Sequence, residues 1–235
     1  MPLADPSTLI DEAFARGFRP PERLTVDQWA DRFRTVFKPS PREGPWDTDF
    51  VPYLREPMRR FTDPLVSTIV LMFGPQSSKT ELLLNVLGWI VDCQPDDSMY
   101  ILPTAEMVQE FVKTRVQPML RENPRLARHL SLNRHDTKLQ AVHLPEMKLF
   151  GVGSNSAGKL SNKPIRYLLC DEVDKYPQEL GGRGGTEAAA LDLAKQRTDA
   201  FGWMAKVVEA STPSDEGVGI SKEYAGSDQA EYFVP

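Results

Sequence analysis

A chain of 235 residues, 40 % hydrophobic and 26 % charged, has enough apolar material for one substantial core, as in an ordinary soluble globular protein. Its net charge of −5 excludes a surface that is basic throughout, although a local basic patch stays compatible with nucleic acid. The longest apolar runs, Thr68 to Phe73 and Leu82 to Val91, are too short to cross a bilayer, and the N-terminus lacks a basic segment followed by an apolar one, which argues against membrane insertion and secretion. Cys93 and Cys170 have no CxxC partner, so they fit a reducing compartment, provide no metal framework and are expected to fill the core.

Residues 1–64 are rich in proline, as in Lys38-Pro39-Ser40-Pro41 and at Pro45, Pro52 and Pro57, and are expected to form an extension that wraps a core over 65–235. Within it, Leu24 to Phe33 reads as a short helix with Thr25 as N-cap, and the rest reads as extended chain. From Ser67 the pattern changes. Apolar runs at Thr68–Phe73, Ser98–Leu102, Lys148–Val152, Tyr167–Cys170 and Val207–Ala210 have strand length, and helical spacing marks Lys79–Val91, Ala105–Arg121 and, more weakly, Glu187–Thr198. This alternation predicts an α/β fold, a mostly parallel central sheet flanked by helices.

The strand at Ile69–Phe73 runs into Gly74-Pro75-Gln76-Ser77-Ser78-Lys79-Thr80 and then a leucine-rich helix. That is the setting of a phosphate-binding loop. Backbone N–H groups and a helix N-terminus attract an anion, the Lys79 ammonium neutralises terminal phosphates, and the Thr80 hydroxyl can ligate magnesium. The general pattern has glycine at the positions held here by Phe73 and Ser78. A left-handed Ser78 would cost about 1–2 kcal/mol, so the loop must differ in detail or accept strain. Simple capping of a buried helix by Ser-Ser-Lys-Thr is the alternative.

The run Tyr167–Cys170 ends in Asp171-Glu172, which places carboxylates at the crevice end of a strand. In additional-strand (ASCE) P-loop ATPases the first acid holds magnesium and the second polarises the attacking water, so Asp171 and Glu172 suit those tasks. Acidic pairs after strands are also common as solvated loop residues. Ser211-Thr212-Pro213 ends a further strand; its hydroxyls could sense the terminal phosphate, or form an ordinary turn.

Trp46-Asp47-Thr48, Pro52 to Met58, Ser77-Ser78-Lys79-Thr80-Glu81, Leu102-Pro103-Thr104, Val116 to Leu120, Gly153 to Ala157, Asp171 to Asp174 and Ser211-Thr212-Pro213 together resemble the ATPase domain of the lambda-type terminase large subunit, the GpA family of phage DNA-packaging proteins. The resemblance covers nearly the whole chain. It implies an ASCE P-loop fold and an ATPase that uses ATP and Mg2+ to drive double-stranded DNA into a procapsid. It also implies a homo-oligomeric ring at the portal protein, a small terminase subunit as partner, and the host cell cytoplasm as location. In that family a nuclease domain follows, joined by a segment that often carries close cysteines; this chain ends at Tyr232 to Pro235, so the expectation is an ATPase domain alone.

The resemblance further implies an arginine that stabilises charge on the transferring phosphoryl group. Arg197 is the first candidate and Arg183, in its glycine-flanked loop, the second. Trp46 and Tyr53 are candidates to stack the adenine, with Arg55 or Gln76 hydrogen-bonding it; aromatic anchors on the core would look the same. Lys113, Arg115, Arg121, Arg125, Arg128, Arg134 and Lys138 form the most basic stretch, either a DNA-facing patch or a solvated face, and Lys159 and Lys163 are alternative DNA contacts. His129, His135 and His143 lack metal-site spacing. A helicase-like ATPase and a non-hydrolysing docking module are the competing readings.

Overall fold

The computed structural model describes residues 22–38, 40, 42–131, 137–138, 141–160, 163–178, 180–182, 185–187 and 189–233. Among the described residues the first element is helix α1 (Val26–Phe33), where the Gln28 side chain reaches back to the Thr25 N–H at 3.1 Å. An antiparallel pair, β1 (Thr35–Val36) with β2 (Gly44–Pro45), follows, then 3-10 turns at Thr48–Phe50 and Pro52–Leu54, and helix α2 (Arg55–Phe61). This corrects the expectation of extended chain after α1. Prolines 52 and 57 sit in first turns, where the missing N–H has no intrahelical partner to lose.

The sheet begins with β3 (Thr68–Met72), which leads through the loop into α3 (Lys79–Cys93) and β4 (Ser98–Leu102). The long helix expected from Ala105 is divided into α4 (Ala105–Phe111), a π turn (Val112–Val116), and α5 (Gln117–Glu122), with α6 (Pro124–Ala127) after it. Pro118 explains the division. Its ring crowds the carbonyl of Thr114 and it has no N–H to offer there, while the Gln117 N–H bonds the more distant Val112 carbonyl. Then come β5 (Thr137–Lys138), β6 (Ala141–Leu144), β7 (Met147–Gly153), α7 (Ala157–Leu160) and β8 (Tyr167–Asp171). A hairpin of β9 (Leu180–Gly182) and β10 (Gly185–Glu187) precedes α8 (Ala190–Lys195), a 3-10 stretch (Gln196–Met204), β11 (Lys206–Ser211) and α9 (Gly219–Ala225).

The seven-stranded sheet has the order β3-β11-β8-β4-β7-β6-β5. All neighbours from β3 to β7 are parallel, and β6 and β5 extend the sheet as antiparallel strands. Alternate side chains of β8 serve opposite faces. Tyr167 and Leu169 pack with α3 and the N-terminal segment, and Leu168 and Cys170 pack with Leu160, Leu191 and Ile220. Both faces are covered, which is why the parallel strands read as continuous apolar runs.

Helix α3 is buried on every side from Glu81 to Val91, because the sheet covers one face and the N-terminal segment the other. Trp29 lies against Gly88, where an added Cβ would stand 2.6 Å from Trp29 Cζ3 and closer still to Cη2. The Trp29 indole donates to Asp92 at 2.7 Å and the Trp89 indole to the Leu24 carbonyl at 2.7 Å. On the opposite face Glu209 of β11 is fully buried beside Lys195 at 2.7 Å, and burial pushes its carboxyl up to about 7 against the pull of that ammonium.

Candidate active site

The parallel register brings three strand ends level. Ser211 pairs with Met72 at the end of β3, and Ala210 pairs with Asp171 at the end of β8. The loop after β3, the acids after β8 and the hydroxyls after β11 therefore face one crevice at the carboxyl ends of the strands, where open α/β sheets bind ligands. The cleft measures about 1110 Å³ and is lined by Pro75 to Glu81, Asp171, Glu172, Ser211 and Thr212 on the sheet side.

Lys79 lies across its own loop. Its ammonium donates to the carbonyls of Phe73 (3.1 Å) and Gly74 (2.6 Å) and to the Thr212 hydroxyl (2.9 Å). Burial lowers its pKa, while Asp171 and Glu172 pull it upward. The Thr80 hydroxyl donates to Asp171 Oδ2 at 2.7 Å, and the Tyr100 phenol donates to the same oxygen at 3.1 Å. Burial raises the Asp171 carboxyl despite these donors. Thr80 and Asp171 thus present adjacent oxygens of the kind magnesium takes, and a buried carboxylate gains from a nearby cation. The residues fit the ion.

Glu172 accepts from Lys175 Nζ at 2.9 Å and its side chain remains partly open to the cleft. Asp174 organises the third strand end. Its N–H donates to Ser211 Oγ (3.1 Å), and its carboxylate accepts from the Ser214 N–H and hydroxyl and from the Ile220 N–H.

The backbone is strained here. Gln76 (φ 57°), Ser78 (φ 58°) and Glu172 (φ 59°) are left-handed, and none is glycine. Of the two outcomes open for Ser78, a different loop or accepted strain, the structure adopts strain. Such outliers cluster at binding sites, where the surrounding structure holds them in place.

The structure separates several expected site residues from this crevice. Tyr53 packs edge-on against Phe73 and Tyr232 and donates to the Ser77 carbonyl at 3.4 Å, so it props the loop from behind and does not line the cleft. Arg55 is occupied by Asp27 and Asp49. Trp46 does reach the cleft, its indole donating to Thr48 at 2.9 Å, beside Val36, Pro45, Phe50 and Arg42. Arg197 lies at the opposite end of the sheet, where its carbonyl accepts from the Ile165 N–H just before β8 begins, so this chain does not bring it to its own cleft. Arg183, Arg134 and His135 lie outside the described residues, as do the side chains of Lys138 and Lys159.

The basic stretch divides likewise. Arg125 and Arg128 converge with His129 on Asp92, which largely commits both guanidiniums within the fold, and Arg115 pairs with a carboxylate, Glu81, that Arg34 shares. Lys163 sits over the Phe150 ring at 4.5 Å. Sequence reasoning passed over Tyr100, Asp174, Arg42 and Phe50. It also missed Glu81, although an acid inside a leucine-rich helix was the one available signal.

Residues 40–235 match the family described as phage terminase large subunit gpA, ATPase domain. The terminase large subunit of Enterobacteria phage P21 is 23 % identical over 223 residues, covering 92 % of this chain and 34 % of that protein. The large subunit of Escherichia phage lambda is 23 % identical over 202 residues, covering 84 % and 30 %. This chain thus spans about a third of the length of the curated relatives it matches. The crystal structure of the HK97 bacteriophage large terminase aligns with a TM-score of 0.63 at 14 % identity, over 86 % of this chain and 40 % of that one, which shows a shared fold. With a family match over this much of its length and the loop, acids and strand order of an additional-strand P-loop fold, the chain belongs to the ATPase-domain family of the phage terminase large subunit gpA.

Proposed function

We propose that this domain hydrolyses ATP with magnesium and that, in a packaging motor, the hydrolysis moves double-stranded DNA into a procapsid. The observation that supports this most is the meeting of Lys79, Thr80, Asp171, Glu172 and Thr212 in one crevice, each group within reach of another. The loop N–H groups and the first turn of α3 receive the phosphates, and Lys79 exchanges its carbonyl partners for phosphate oxygens. Thr80 and Asp171 hold magnesium, which neutralises charge on the phosphates. Glu172, released from Lys175, accepts a proton from the water attacking the terminal phosphorus as the bond to the bridging oxygen breaks and ADP departs. Ser211 and Thr212 register the loss of that phosphate through Lys79 and Asp174.

Of the two stacking candidates only Trp46, largely buried beside Val36 and Pro45, reaches the cleft, and it is the one kept for the purine. Arg197 and Arg183 remain candidates for a neighbouring subunit's site in a homo-oligomeric ring. The portal protein, a small terminase subunit and the host cytoplasm complete the proposal. No helix among the described residues is long and apolar enough to cross a membrane. Steady-state phosphate release with magnesium, ATP and DNA tests it: activity in the wild type that falls at least about 100-fold in Lys79→Ala is expected. Equal activity in the two proteins would rule out this crevice as the site.

A further inference from the structure

Among the described residues, the cations lining the cleft are Arg42, Lys79, Arg115 and Lys175. Lys175 is matched by Glu172, and Arg42 by Asp47 at 3.8 Å while it lies over the Phe50 ring. Arg115 differs, because its carboxylate is shared. Glu81 gives Oε1 to Arg115 and Oε2 to Arg34 at 3.0 Å, and among the described residues no other carboxylate pairs with either guanidinium.

One carboxylate between two guanidiniums leaves an excess positive charge in the cleft wall, on side chains only 3 % (Arg34) and 19 % (Arg115) exposed. At such depth that excess is weakly screened. Burial brings the Arg34 pKa down to about 10; the Glu81 carboxylate pulls it up, and the charge of Arg115, a smaller influence, pushes it down. Arg115 sits in the π turn forced by Pro118, a type of irregularity frequent at functional sites. Its charge also acts on Tyr100, which holds the magnesium carboxylate Asp171.

We propose that Arg115 is a phosphate-contacting residue supplied by the same chain: with a nucleoside triphosphate in the cleft, its guanidinium leaves Glu81 and bonds the terminal phosphate. Arg34 retains Glu81, so no buried carboxylate is left unpaired by the exchange. The exchange also separates two like charges and gives the guanidinium a phosphate that it can grip through two N–H groups. This inference rests on the reading of the cleft as a triphosphate site.

Calorimetric titration with magnesium-ATP and with magnesium-ADP, on the wild type, Arg115→Ala, Arg115→Lys and Lys79→Ala, tests it together with thermal unfolding. In Arg115→Ala, ATP affinity is expected to fall about 10- to 100-fold while ADP affinity stays within about twofold, since only the terminal phosphate loses a charge-assisted contact. Arg115→Lys, which keeps the pair with Glu81, should lose about 3- to 10-fold for ATP with an unchanged melting point, and it carries the test if the alanine variant does not fold. An ATP-to-ADP preference equal to the wild type's in both variants would overturn the proposal and leave Arg115 a structural partner of Glu81. Weakening by Lys79→Ala alone would refute Arg115 but preserve the triphosphate site. Failure of the wild type to bind ATP would remove the site and this proposal with it.

Discussion

Helix α3 carries a carboxylate clasp at each end, and the two differ in what they face. Near its C-terminus the Asp92 side chain, covered from solvent, accepts from Trp29 (2.7 Å), Arg128 (2.6 Å) and Arg125 and lies 3.2 Å from His129 Nε2, so α1 and the α6 region are fastened to the helix. Near its N-terminus Glu81 is held between Arg34 and Arg115 and lines the cleft. The Asp92 end is ringed by Arg125, Arg128 and His129, and no described residue near it has a left-handed backbone. The Glu81 end adjoins Ser78 in a left-handed conformation and a lysine whose partners are neutral oxygens. The contrast places the strained backbone at the end of α3 that lines the cleft, and not at the end that anchors the N-terminal segment.

Opposite substitutions at the two ends sharpen that contrast. Gly88→Ala drives a methyl into the Trp29 ring and should destabilise the domain by about 1–3 kcal/mol in urea unfolding, with nucleotide affinity unchanged in the folded protein. Ser78→Gly removes the Cβ penalty of a left-handed residue and should stabilise it by about 1 kcal/mol, the smaller effect and of the opposite sign. Should Ser78→Gly destabilise instead, the Ser78 side chain would be making a compensating contact and the loop would not be a strain reservoir.

What could be read ahead of the structure follows the same division. Parallel strands buried on both faces announce themselves as apolar runs, and the strands expected near Thr68, Ser98, Lys148, Tyr167 and Val207 all occur within a residue or so. The antiparallel β5 and β6 and the glycine-rich β9–β10 hairpin were missed: β5 is two polar residues, β6 (Ala141–Leu144) is only four residues long, and the hairpin strands are three residues each. The helix expected over Glu187–Thr198 begins only at Ala190, after β10, and passes into a 3-10 stretch. At the site, Lys79, Thr80, Asp171 and Glu172 were legible because each follows a strand in a fixed chemical setting. Arg34, Tyr100 and Arg115 were not, since what defines them is a partner far away in sequence: Arg34 lies 47 residues from Glu81, and Tyr100 lies 71 from Asp171. For the same reason Arg125 and Arg128 looked like surface charge, although Asp92 holds both.

In the proposed reaction Asp171 holds the metal and Glu172 activates the water, and one variant separates those roles. Nucleotide retention and single-turnover hydrolysis by Glu172→Gln, with magnesium present, is the measurement. Hydrolysis slowed by about 100-fold or more with ATP still bound at close to wild-type affinity is the predicted result. Hydrolysis at the wild-type rate would contradict it, because the proton would then be leaving the attacking water by way of some other group.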